Sequence, residues 1–163
     1  MYQQAWRRRV VVLFCLSLAS TGIFAHEGHE HGPAVVPQAE RDLAAQKKVE
    51  GPTQNKGIKS VTVIGGVTLA SEFPALEGRQ MRVRELVIEP GGVVAVHQHD
   101  MRPGMAYILE GEIVEHRNDH AEPVVRKKGD AAFEKTGVTH WWENKSTLPV
   151  RALVVDIVPL EAK

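Results

Sequence analysis

From Ile58 onward the chain is a succession of short runs rich in Val, Ile, Thr and Leu, each closed by a cluster of Gly, Pro, Asn or Asp. Such runs, with no amphipathic helical stretch between them, restrict this part of the chain to hairpin-connected strands in a sandwich or barrel. Strands are expected at 60–69, 80–88, 93–97, 106–112, 113–117, 124–126, 131–134, 139–143 and 150–158. The breaks Glu89-Pro90-Gly91-Gly92, Leu109-Glu110-Gly111-Glu112, Asn118-Asp119, Lys128-Gly129-Asp130 and Asn144-Lys145-Ser146 supply residues that tolerate tight or left-handed backbone. The fold class is therefore all-β, a double-sheet jelly roll.

The region ahead of Ile58 has a different texture. Arg7, Arg8 and Arg9 precede an apolar run from Val10 to Ala19 that is too short to span a bilayer, and Ala25 closes a stretch of small and apolar residues. This is the pattern of a cleavable secretory signal at 1–25, cut after Ala25, and it implies a periplasmic or secreted protein with no membrane integration after cleavage. Cys15, the only cysteine, would leave with the signal, so histidine must carry any transition-metal chemistry. The formal charge of the whole chain is zero, but Arg7 to Arg9 depart and none of the 20 acidic residues does. The mildly acidic remainder suggests neither a nucleic-acid partner nor an anionic membrane surface.

Residues 26–57 read as a flexible leader. His26, His29 and His31 lie beside the new amino terminus and could capture a divalent metal weakly. Residues 40–50 have the composition of a short helix, with too few apolar positions to bury a face. The folded domain is expected to occupy 58–163.

Within that domain two segments stand out. In the first, Gly91 is followed after five residues by His97, then His99, Gly104 and Gly111; in the second, Gly129 leads to Gly137, His140 and Asn144. Side chains alternate faces along a strand, so His97 and His99 point the same way. His140, if inward, shares its face with Trp142 and Asn144. Three converging imidazoles suit iron, copper, nickel, zinc and, less well, manganese.

These two segments resemble the paired motifs of the cupin superfamily, in its single-domain conserved-barrel (type-2) form, over residues 80 to 158. The run Tyr107-Ile108-Leu109-Glu110-Gly111-Glu112 fits the end of the first motif, whereas Lys135 stands where the second usually has proline. The resemblance implies a metal held by His97, His99 and His140. It also marks a departure, because Gly104 occupies the place of a glutamate ligand. A site without that carboxylate keeps open coordination positions and favours an anionic ligand. Such three-histidine sites resemble those of thiol, diketone and aromatic-ring dioxygenases.

The leading expectation is a three-histidine non-haem iron oxygenase acting on a small anionic molecule, with Fe(II) as the metal and Mn, Ni, Cu or Zn as alternatives. The other reading is a non-catalytic module that binds a small ligand or metal. Gly104, Ala106, Ile108 and Trp142 are expected around the pocket, and Tyr107 and Arg102 are the candidate catalytic groups, Arg102 by pairing with a ligand carboxylate. Met101 has the parity to face the metal as a thioether. His116, His120 and Glu110 read as surface residues. The run at 60–69 could pair with a second copy to form a homodimer.

Overall fold

The computed structural model describes Val36, residues 38–46 and residues 49–160; the expected signal at 1–25 and the His26 to His31 tract lie outside the described residues. One helix, α1 (Gln38–Gln46), precedes eight strands: β1 (Lys56–Thr68), β2 (Arg79–Gln98), β3 (Gly104–Glu110), β4 (Glu112–Arg117), β5 (Val124–Lys127), β6 (Ala131–Glu134), β7 (Thr139–Glu143) and β8 (Val150–Pro159). A 3-10 turn at Pro74–Leu76 joins β1 to β2.

All pairings are antiparallel, in the order β5-β4-β7-β2-β8-β3-β6, with β1 added to β2. The result is a nearly closed jelly-roll barrel. The runs at 80–88 and 93–97 prove to be one bent strand, β2. Its first half pairs with β1 and β8, and its second half pairs with β7. The bend falls at Pro90-Gly91-Gly92, where Gly91 has φ 70, a left-handed conformation that costs glycine little. Asn144 fastens the bend: its backbone N–H donates to the Gly92 carbonyl at 2.9 Å, while its carbonyl accepts from Gly91 at 2.8 Å. Its side-chain amide also donates to the carbonyls of Ile88 and Leu148.

Alternation along the strands builds the core. On β2, Leu86, Ile88 and Val94 are buried; on β3, Ala106 and Ile108; on β8, Val150, Ala152 and Val154. Fully burying a Val, Leu or Ile side chain stabilises the fold by roughly 1.5–3 kcal/mol. Two inward rows then turn polar at one end of the barrel. Arg84 continues the β2 row at 2% exposure and Asp156 continues the β8 row at 1%. The functional site lies at that end.

The segment before β1 also packs on the barrel. Helix α1 forms close to the anticipated place, but against expectation it contributes buried surface: Ala44 is buried, and so is Val36 just ahead of it. Residues 50–55 run beside β2 and are held by Val96 N–H to Pro52 O (2.8 Å), Ala95 N–H to Asn55 Oδ1 (2.8 Å) and Trp141 Nε1–H to Glu50 O (3.1 Å). The strand foreseen for exchange between copies, β1, pairs here with β2 of its own chain.

Candidate metal centre

His97 on β2 and His140 on β7 are direct cross-strand partners, and His99 follows one residue past the end of β2. All three are buried, and their ring centroids lie 4.4 to 4.9 Å apart. Each ring has its Nδ1 beside an oxygen. His97 Nδ1 donates to the Ala95 carbonyl at 2.8 Å, His99 Nδ1 approaches the Arg102 carbonyl at 3.3 Å, and His140 Nδ1 donates to Glu115 Oε1 at 2.7 Å. These partners place an Nδ1–H on each ring and leave Nε2 as the nitrogen turned inward. Trp142 Nε1, 3.3 Å from His140 Nδ1, is then a packing contact, because that nitrogen carries its own hydrogen.

The Nε2 lone pairs are consequently turned on one another, with His140 Nε2 at 2.9 Å from His99 Nε2 and 3.0 Å from His97 Nε2. Nitrogens gathered this closely suit a shared cation. Nitrogens ~2.1 Å from one ion and at right angles around it would be about 3.0 Å apart, which fits the spacing seen. Burial, reinforced by the neighbouring imidazoles, pushes both His97 and His99 far below the usual histidine range. Protons therefore compete little with a metal at neutral pH. Histidines 97, 99 and 140 form a group that could hold a metal ion.

Over residues 84–156 the sequence matches the cupin domain family. An oxalate-binding protein from Thermotoga maritima is 31% identical over 84 residues, which span 52% of this chain and 68% of that protein. The chain is a cupin. Among solved structures it is similar to a conserved protein with a double-stranded beta-helix domain from Klebsiella pneumoniae (TM-score 0.49, 19% identity, covering 72% of this chain and 94% of that one). It is also similar to a predicted oxalate decarboxylase from Thermotoga maritima (TM-score 0.43, 22% identity, covering 66% and 99%). Metal binding is frequent in the family, and the imidazole cluster of this cupin suits it.

Around the histidines lies a cavity of about 30 Å³, room for roughly two water molecules. Its apolar wall includes Val36, Leu86, Val94, Ala106 and Trp142, and its polar wall includes Arg84, Arg102 and Glu134. Ala106 and Trp142 both line this cavity. Ile108 is wholly buried in the core and does not line the cavity, being one inward position deeper along β3. Tyr107 has the opposite parity, is 37% exposed and points out of the barrel, so it is no catalytic group here.

Gly104 also differs from expectation. It does not line the cavity, and a Cβ built on it would lie 2.5 Å from the Val155 carbonyl oxygen and 3.1 Å from Asp156 Cβ. The close approach of β3 to β8 fills the direction a side chain would take. Gly104 is paired with Glu134 on β6 and with Asp156 on β8, so its two rung neighbours carry the carboxylates it lacks. Glu134 is 5% exposed; one oxygen is 3.4 Å from His99 Nδ1 and the other 3.8 Å from His140 Nε2. Burial pushes its carboxyl above the ordinary range against the opposing pull of His140 and Arg102. A buried acid therefore stands beside the imidazoles, supplied by the adjacent strand.

Arg102 is inside the barrel rather than in solvent. It is 3% exposed and donates from Nη1 to Asp156 Oδ2 at 3.0 Å; its Nη2 meets Glu40 of helix α1. Arg82 and Arg84 share the same aspartate, Arg82 at 3.0 and 3.1 Å and Arg84 at 2.9 Å. Burial works against the charge on Arg102, but Glu40, Glu134 and Asp156 outweigh it and raise its pKa. For Glu40 the burial cost wins, raising its carboxyl despite Arg102.

Glu115 on β4 is fully buried, bonded to His140, Arg117 (2.9 Å) and Arg126 (2.8 Å). Burial alone would raise its carboxyl, yet these partners bring it down to about 2, so it remains an anion that orients His140. Met101 is 71% exposed with φ 64; the left-handed turn it makes carries its thioether away from the metal site. Glu110 pairs with Arg151 near the surface, His120 is exposed beside Asp119, and His116 stacks flat on Trp141 at 3.6 Å.

Proposed function

We propose that this cupin is an extracytoplasmic, metal-dependent protein that takes a small organic anion at its three-histidine centre. The observation that carries this reading is the convergence of three buried Nε2 atoms, two of them on rings that line a cavity whose polar wall also holds the guanidinium of Arg102. His97, His99 and His140 would hold the metal. The ion, Fe(II) by preference, would act as a Lewis acid and an anchor for a chelating ligand. Arg102 would meet a carboxylate, and Val94, Ala106 and Trp142 would keep water from its apolar side. The small cavity and the name of the oxalate-binding relative both favour a compact ligand such as oxalate.

A second reading, oxygenation of the bound anion, is favoured by Glu134. Its carboxyl lies within 3.8 Å of the histidine cluster and could hold or release a proton at Oε1. One experiment addresses both readings. The mature protein is stripped of metal, reloaded with Fe(II), Mn(II) or Zn(II), titrated with oxalate by calorimetry, and followed for oxygen uptake across thiols, diketones and hydroxylated aromatic acids. Oxalate binding that requires the metal and vanishes in Arg102→Met is expected, and oxygen uptake with Fe(II) would select the second reading. Stoichiometric metal with neither oxalate binding nor oxygen uptake would overturn both.

A further inference from the structure

We propose that the segment carrying Val36 and Glu40 is a built-in occupant of the anion pocket, with Glu40 holding the ligand's place on Arg102 and Val36 filling the apolar side. The proposal rests on the reading that this pocket takes a small carboxylate, and it names what keeps that carboxylate out. Val36 is 1% exposed and lines the cavity together with Trp142, Val94, His97 and His99, although it lies outside the barrel sequence. Four residues further, the Glu40 side chain is 13% exposed and reaches Arg102 Nη2.

The guanidinium geometry makes the competition specific. Arg102 Nη1 is committed to Asp156, while Nε and Nη2 are buried and find no hydrogen-bond acceptor among the described residues, Nη2 being met by the ion-pair contact with Glu40. A carboxylate binding the guanidinium side-on takes Nε and Nη2 together. Glu40 already stands on Nη2, so a ligand cannot use that edge until Glu40 leaves. Departure of Glu40 would take one carboxylate away from Arg102, which shares Asp156 with Arg82 and Arg84, and so opens a desolvated place that favours an incoming anion.

The segment is also built to detach. Helix α1 has nine residues, too few to hold its form without tertiary contacts. The following residues stay tied to β2 through Pro52 and Asn55, so the helix can leave while its root remains. Ligand and helix then exclude each other, and each lowers the apparent affinity of the other by the same factor.

The test uses the full mature chain, free of metal and loaded with Zn(II), with malonate as the probe. Calorimetry gives its affinity for wild type, Glu40→Gln and Val36→Ala, and hydrogen exchange follows the backbone amides of 38–46 with and without malonate. Both variants should bind malonate about tenfold more tightly, and malonate should speed exchange in the helix of the wild type. If malonate binds wild type and both variants equally, or binds Glu40→Gln more weakly, with helix exchange unchanged, the occupant proposal falls while the anion pocket stands. If malonate binds none of the proteins in either metal state, both readings fall together.

Discussion

Replacing Asp156 by asparagine should cost this barrel a large part of its stability, and the structure allows the size to be worked out. The carboxylate accepts from Arg82, Arg84 and Arg102, and the last two side chains are 3% and 4% exposed. Asparagine keeps the volume but removes the charge, so three guanidinium groups lose the one carboxylate they share, with Glu40 left beside Arg102. Breaking a buried ion pair from one side costs about 3–5 kcal/mol, against about 5–15 kcal/mol for the whole stability of a typical domain. With a urea m-value of about 2 kcal/mol/M, the unfolding midpoint should fall by about 2 M at pH 7. Burial pushes the Asp156 carboxyl up, but the Arg82 hydrogen bonds and the charges of Arg84, Arg82 and Arg102 outweigh it and bring it below its ordinary 3.8. The native state thus binds that proton less readily than the unfolded chain. Its stabilisation is present above the ordinary carboxyl range and is lost as the pH falls through the lower native value. Urea melts from pH 7 to pH 2.5 should show a steeper acid decline in wild type than in Asp156→Asn. A midpoint within about 0.5 M of wild type at pH 7, with an unchanged slope, would refute the claim that this carboxylate neutralises the cluster.

Glu115→Gln removes the anion that fixes His140, and chelator competition should show metal affinity falling about 10- to 100-fold; unchanged affinity would mean the Arg117 and Arg126 pairs only brace the strand. Gly104→Glu should lower the melting temperature without tightening metal retention, since its Cβ would meet the Val155 carbonyl at 2.5 Å; a stable variant with firmer metal retention would show that a side chain there does reach the metal. Glu134→Gln preserves volume and removes a carboxyl that burial disfavours when ionised, so the melting temperature should hold or rise. Any oxygen-dependent turnover should drop at least about tenfold, and full turnover in this variant would exclude Glu134 as the acid.

The strands were legible because their punctuation is local. Each turn cluster ends a run within a few residues, and most observed boundaries fall within two residues of the expected ones. The bent β2 was divided in two at Pro90-Gly91-Gly92 because a corner and a hairpin turn use the same residues. The histidine cluster was legible because His97 and His99 are two apart on one strand and His140 has a fixed motif spacing. Glu134, Arg84 and Asp156 were missed for a different reason. Their importance depends on register between strands distant in sequence, such as Gly104 opposite Glu134 and Asp156. A weaker signal did exist. Asp156 interrupts the apolar row Val150, Ala152, Val154 and Val158, and Glu115 follows Ile113 on an inward row, so each is a charge on a core-facing parity. Val36, just ahead of α1, and Glu40, within it, carry no such mark, because no periodicity in so short a segment says which cavity it will meet.

Arg102 joins these parts at a single residue. Its backbone carbonyl orients His99, its Nη1 is held by Asp156, and its Nη2 meets Glu40. Stability, metal geometry and access to the anion pocket are therefore coupled through one side chain and its own peptide. Anything that draws the guanidinium toward the cavity must pull against Asp156 and act on the loop that aims His99. In Asp156→Asn that restraint is gone, so metal affinity should fall along with stability even though residue 156 touches no histidine. Metal affinity that survives the loss of Asp156 intact would mean that the His99 ring is aimed by packing alone, and the arginine cluster would then be a structural device separate from the metal site.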